Sequence, residues 1–303
     1  MDREQWSGVM PAITTPFKED GSVDLAFIQE HAQRLVGAGC TGVVALGSLG
    51  EANTLTFEEK VAIVRALRDA LDRSVPVVAG IAGLATQECV QLAQAAREAG
   101  ADGLMVLPPY VYRGDWRETE AHFSAVLQAT PLSCMLYNNP IAYGTDVVAP
   151  QIAQLAREHR NLHAVKESGG DVRRVSAIRE LLGDEIRIFV GIDDLIVESV
   201  AVGATGWIAG LVNALPEESV RLFNLAISGD RERALQLYDW FLPLLRFDTV
   251  PKFVQLIKLV QRAVGLGSER VRPPRLPLVG EELAAAEKLI EERLGHPARA
   301  AAA

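Results

Sequence analysis

The strongest constraint on this chain is a repeated alternation of two kinds of segment. Short runs rich in Val, Ile and Leu occur at "GVMPAI", "GVVALG", "VPVVAGI", "DGLMVLP", "LSCMLYN", "LHAVK", "IRIFVG" and "TGWIAG". Between them lie stretches such as "VDLAFIQEHAQRLVGAG", "TFEEKVAIVRALRDAL", "TQECVQLAQAAREAG" and "DWRETEAHFSAVLQA", with apolar positions three and four apart and Gly at several ends. Eight strand–helix units of about 30 residues each predict an α/β chain folded as a (β/α)8 TIM barrel. A doubly wound open sheet would need fewer strands and gives no reason for eight. After "TGWIAGLVNALPEESVRLFNLAISGD" the strands stop, and "RERALQLYDWFLPLLRF", "TVPKFVQLIKLVQRAVG" and "GEELAAAEKLIEERLG" read as three more helices. The expected organisation is a barrel over residues 1–229 and a C-terminal helical annex over 230–303. No solenoid repeat or low-complexity linker interrupts it, apart from the tail "HPARAAAA".

Composition narrows the partners. The 303 residues are 49% hydrophobic and 23% charged, as in an ordinary globular protein. A formal net charge of −9 disfavours nucleic acid and anionic membranes, which need a basic face. No apolar run approaches the roughly 20 residues of a membrane span, and "MDREQWSGVM" lacks the basic and apolar regions of a signal peptide, so a cytoplasmic protein is expected. Cys40, Cys89 and Cys134 form no CxxC pair and read as small buried hydrophobes. His31, His122, His159, His163 and His296 show no ligand spacing, so no metal is expected.

One strand carries a residue that does not belong in a buried sheet. "LHAVKESGGD" delivers the ammonium of Lys166 and then Glu, Ser and two Gly. A strand-end lysine ordinarily snorkels to water or pairs with a carboxylate; the alternative is a desolvated amine poised to attack a carbonyl carbon. Parallel strands all end on one face of a barrel, so the segments that follow them meet there. These are "LGSLGEAN", "LPPYVY", "LYNNP", "VKESGG" and "VGIDD". The hydroxyls of Ser48, Tyr110 and Tyr137 are thus expected near the amine of Lys166. A Schiff-base enzyme needs such a set: an amine, a proton-shuttling hydroxyl and donors for a substrate carboxylate. In "GSLGE" the glycines leave backbone N–H groups free for an anion and Ser48 adds a hydroxyl, while the absence of a following Lys-Ser or Lys-Thr rules out a phosphate loop. Glu51 either orients this loop or is a surface carboxylate. Asp193 and Asp194 are expected to cap the helix after "VGI" and to complement its dipole, and "RFDTVPKF" to start a helix.

The ordered set "TTPF", "GSLGE", "LPPY", "YNNP", "VKESGGD", "VGIDD" and "GWIAG" resembles the dihydrodipicolinate synthase and N-acetylneuraminate lyase family of class I Schiff-base lyases across essentially the whole chain. The resemblance implies that Lys166 forms a Schiff base with a small 2-oxo acid, usually pyruvate, and that Tyr137 is the acid/base tyrosine. It implies that Ser48 and Tyr110 complete a proton relay, Tyr110 typically being lent across a subunit interface. It also implies a substrate-binding set of Gly47, Ser48, Leu49, Gly191 and Ile208, a homotetramer, and no cofactor or metal.

Two departures bear on substrate. The family loop usually reads GTTGE or GSTGE, and here Leu49 removes the second hydroxyl. The lysine-pathway synthases run YNVPSRT, with an arginine that grips the aldehyde substrate's carboxylate, and here Ala142 stands in its place; a methyl group cannot supply a bidentate guanidinium. "GSLGE", "KESGGDVRR" and "GATGWIAGLVNALPEE" most resemble the family's 1-pyrroline-4-hydroxy-2-carboxylate deaminase branch, which implies deamination and dehydration of that imino acid to 2,5-dioxopentanoate. The alternatives are a 2-keto-3-deoxy-L-arabonate dehydratase, a pyruvate aldolase or dihydrodipicolinate synthase, and, in another class, a non-catalytic protein that binds a 2-oxo acid.

Overall fold

The computed structural model describes residues 1–110 and 112–296. Eight parallel strands run β1 (Gly8–Pro11), β2 (Val43–Ala45), β3 (Val77–Ile81), β4 (Gly103–Val106), β5 (Ser133–Asn138), β6 (Leu162–Glu167), β7 (Arg187–Val190) and β8 (Gly206–Ala209). From β2 to β8 each strand pairs with its sequence neighbour, and β1 pairs with β8. A parallel bridge between Ala12 and Val44, with the Ile13 amide donating to the Val44 carbonyl at 2.9 Å, brings β1 against β2 and closes the ring. The chain is therefore the (β/α)8 barrel expected from its alternation. All five residues of β3 are buried, which explains why this strand reads as an unbroken apolar run, and all six of β5 are buried as well.

The helices are α1 (Leu25–Gly37), α2 (Phe57–Ala70), α3 (Thr86–Glu98), α4 (Trp116–Gln128), α5 (Pro140–Tyr143), α6 (Ala149–Glu158), α7 (Arg173–Leu182), α8 (Ile196–Ala201) and α9 (Pro216–Ser228). Local signals fix their ends. Thr56 with Glu59 and Asp115 with Glu118 form capping boxes on α2 and α4, each satisfying amides that the first turn leaves unpaired. Three C-terminal helices follow: α10 (Arg231–Leu245), α11 (Phe253–Ala263) and α12 (Gly280–Leu294). Trp240 of α10 donates its indole N–H to the Arg293 carbonyl of α12 at 2.9 Å. Phe241, Leu244, Leu245, Val254 and Ile257 continue the barrel's hydrophobic core into this layer.

The three cysteines are buried and free, and burial pushes the Cys40 and Cys134 thiols up to about 12. Among the described residues no helix is long and apolar enough to cross a membrane.

Candidate active site

Strand register sets the floor of the site. Tyr137 on β5 and Lys166 on β6 are Cα partners in the parallel ladder, so their side chains leave the sheet at the same level and on the same side. Lys166 is 6% exposed and Tyr137 4%. The Lys166 Nζ lies 4.2 Å from the centroid of the Tyr137 ring. Among the described residues no carboxylate stands within ion-pair distance of this ammonium, so it neither snorkels to bulk water nor pairs. Beside it, Gly191 at the end of β7 leaves room that a side chain would take: a Cβ there would overlap Ser168 Oγ and Lys166 Cε and sit 2.9 Å from Lys166 Cγ. Ser168 Oγ is itself buried with no hydrogen-bond partner among the described residues. Ile208 of β8 is buried in the barrel.

The loop after β2 forms the adjacent wall. Leu46 and Glu51 adopt left-handed φ of 62° and 53°, unusual for residues with side chains, and Gly80 of β3 allows the bend because a Cβ there would come 2.8 Å from the Leu46 carbonyl carbon. Thr15 Oγ1 donates to the Gly50 carbonyl at 2.6 Å. Glu51 is fully buried, accepting from Lys258 Nζ at 2.6 Å and from the Arg272 amide at 3.1 Å. Of its two expected readings, loop orientation is the one found, and the partner that makes it so, Lys258, comes from α11. The amides of Gly47, Ser48 and Leu49 donate to no acceptor among the described residues. Buried amides seldom go unpaired, so these are free to take an anion.

The "YNNP" segment turns the chain into α5. Asn139 is the N-cap, accepting from the Ala142 amide at 2.9 Å through Oδ1, and its Nδ2 donates to the Tyr137 hydroxyl at 3.1 Å. Asn138 accepts from the Val147 amide at 2.9 Å and donates to Glu167 at 3.0 Å. Glu167 in turn accepts from the Gly169 amide at 2.6 Å and pairs with Arg174 at 3.2 Å, which fixes the turn after Lys166.

Within this chain the hydroxyl in direct hydrogen-bond contact with Ser48 Oγ is that of Tyr143, a residue outside the expected set. The Tyr143 ring packs edge-on against Tyr137 with centroids 5.7 Å apart, and Tyr110 lies beyond it, 5.8 Å from Tyr143. Tyr143 went unnoticed in the sequence although "YNNPIAY" contains it; an Asn cap followed by Pro at the first helical position was the available signal for the single turn that folds it back.

The acidic pair is also placed differently. Asp193 does not cap its own helix. It is fully buried in a 3-10 turn (Asp193–Leu195) and accepts from the Trp207 indole at 3.0 Å and from the amides of Gly210 at 3.0 Å and Leu211 at 2.8 Å, all at the end of β8. Three convergent N–H donors outcompete a weak helix dipole. Burial nevertheless pushes its carboxyl up to about 6. Asp194 instead faces Arg246 at 3.7 Å. The segment "RFDTVPKF" does lead into α11, but it also brings Asp248 to the barrel mouth: a Cβ on Gly210 would lie 3.1 Å from Asp248 Cγ and 3.3 Å from Leu49 Cδ2. Burial first, and then the neighbouring Asp193, raise the Asp248 carboxyl well above the usual range. Arg113, from the stretch after β4, lays its guanidinium over Gly144 at the end of α5, where a Cβ would be 2.6 Å from Nη2. Among the described residues no group of three or more His, Cys, Asp or Glu side chains forms a metal site.

Comparison with known proteins agrees with this geometry. The description "Dihydrodipicolinate synthetase family" matches residues 5–293. The 4-hydroxy-tetrahydrodipicolinate synthase of Haloarcula marismortui is 35% identical over 277 residues, covering 91% of this chain and 90% of the relative. That of Geobacter metallireducens is 32% identical over 289 residues, covering 94% and 99%. Among solved structures, a dihydrodipicolinate synthase from Bacillus anthracis superposes with a TM-score of 0.90 at 30% identity, covering 94% of this chain and 98% of that one. YagE, a prophage protein of E. coli K12 solved in complex with pyruvate, gives 0.89 at 29% identity, covering 95% and 99%.

Proposed function

The chain belongs to the dihydrodipicolinate synthetase family, and on that premise we propose that it is a class I lyase whose Lys166 forms a Schiff base with a 2-oxo acid of the pyruvate type. The observation that carries this reading is a buried, unpaired ammonium beside Tyr137, facing a loop whose amides are free to hold a carboxylate. The amine attacks C2, water departs, and the iminium acidifies C3. Tyr137 takes the C3 proton while the C–H electron pair becomes the enamine double bond and the C2=N π pair returns to the Lys166 nitrogen. The complex of YagE with pyruvate supports the ligand class. Incubation with pyruvate and borohydride should add the reduced ligand's mass to the peptide that contains Lys166. An adduct on another residue, or none with any 2-oxo acid, refutes the mechanism.

What the enamine does next separates two readings. The relatives' name favours condensation with an aldehyde, in place of the deaminase reaction that the sequence resemblance implied. Arg113 supports condensation, because its guanidinium reaches the end of α5 where Ala142 left a donor missing. The second reading is elimination, as in the deaminase or the arabonate dehydratase; it is favoured by Asp248, a carboxyl held toward its neutral form and able to protonate a departing group. Supplying pyruvate with aspartate semialdehyde, and separately 1-pyrroline-4-hydroxy-2-carboxylate and 2-keto-3-deoxy-L-arabonate, distinguishes them. Efficient condensation establishes the synthase reading, stoichiometric ammonia from the imino acid a deaminase, and turnover of the sugar acid alone a dehydratase.

A further inference from the structure

The Tyr137 ring lies against Lys166, Tyr143 packs on Tyr137 and its hydroxyl meets that of Ser48, and Tyr143 is outside the set of residues that the family resemblance implies. Tyr143 closes the single turn of α5 and touches Ser48 across 95 residues of sequence. Its ring stands edge-on to Tyr137, at an interplanar angle of 86°. Asn139 begins the same turn and donates to the Tyr137 oxygen, which leaves the Tyr137 O–H free to point toward Tyr143. One residue therefore fixes both tyrosines: it caps the helix that carries the first and orients the hydroxyl of the second.

We infer that Tyr143 is the relay hydroxyl between Tyr137 and Ser48. The inference rests on the Schiff-base reading above. As the C3–H bond breaks, its proton goes to the Tyr137 oxygen, its electron pair forms the C2=C3 bond of the enamine, and the C2=N π pair returns to the Lys166 nitrogen as a lone pair. The hydroxyl proton of Tyr137 passes to Tyr143, that of Tyr143 to Ser48, and that of Ser48 to the carboxylate of the bound 2-oxo acid. Reprotonation at C3 runs the same path backwards, so no oxidant, reductant or base from outside is consumed. Burial raises the Tyr143 phenol above its ordinary value, so the residue hands on a proton as a neutral hydroxyl and does not rest as a phenolate. Tyr110 is next in the stack, its ring centroid 5.8 Å from that of Tyr143.

The test uses pyruvate in heavy water, with C3 hydrogen exchange followed by NMR and Schiff-base formation followed by borohydride trapping on the same samples. Tyr143→Phe keeps the ring and its packing. It should still trap pyruvate on Lys166, while exchange per trapped enzyme falls by about 10²-fold or more, the range for loss of a general acid/base. Tyr112→Phe, at an exposed ring whose hydroxyl donates to Glu118, should exchange like the unmodified protein. If the unmodified protein traps and exchanges, and Tyr143→Phe exchanges within a few-fold of it, Tyr143 is a packing residue and the inference fails. If the unmodified protein traps nothing, the Schiff-base reading itself has failed.

Discussion

Gly191 has no side chain, and the space this leaves is filled by the Lys166 and Ser168 side chains. An added Cβ would overlap Lys166 Cε and Ser168 Oγ and stand 2.9 Å from Lys166 Cγ. Carbon atoms rest about 3.5 to 4.0 Å apart, so Gly191→Ala must push the ammonium-bearing end of Lys166 by about 1 Å or turn it to another rotamer. A misplacement of about 1 Å at a reacting group costs on the order of 10²-fold in rate. Gly191→Ala should therefore slow borohydride trapping of pyruvate by about that factor without removing any reactive atom. The amide of Gly191 donates to the Glu167 carbonyl at 3.0 Å, and alanine preserves that bond, so the barrel should stay folded by circular dichroism. Gly37→Ala, at an exposed helix end where a Cβ meets nothing within 4 Å, is the matched control. Trapping by Gly191→Ala at the unmodified rate would show that the amine is not confined by this contact, and would refute the steric reasoning.

Three further outcomes follow from the buried charges. Lys258→Met strips Glu51 of its ammonium partner inside the protein and should cost about 3 to 5 kcal/mol in chemical denaturation, with Glu51→Gln added in the double variant recovering part of it; a single-variant loss below about 1 kcal/mol would contradict the pairing. Lys166→Met should abolish trapping yet leave the denaturation midpoint unchanged or higher, because its ammonium is buried without an ion-pair partner among the described residues, and a marked loss of stability would make Lys166 structural. The Asp193 carboxyl, raised to about 6 by burial, binds its proton more tightly in the folded state, so its contribution is full below about pH 4 and is lost as pH rises through about 6. The stability of the unmodified protein relative to Asp193→Asn should therefore fall between about pH 4 and pH 7, and parallel profiles would exclude the shift.

The barrel was legible in the sequence because its cause is local. Strands covered by helices must be apolar along their whole length, helices must be apolar on one stripe, and eight repeats of that pattern define the ring. Lys166 and Tyr137 were legible for the same reason: each ends a recognisable strand, and parallel register places both on one face. What tertiary structure alone decided is which side chains meet across long separations. Lys258 reaches Glu51 over 207 residues, Tyr143 folds back onto Ser48, and Asp193 turns from its own helix to the donors at the end of β8. Asp248 and Arg113 come to the barrel mouth from segments that carry no repeat or motif of their own. Periodicity records which face of an element is buried, but the pairing of polar groups depends on directions in space that close only when the ring does, and that is where this site acquires its polar contacts.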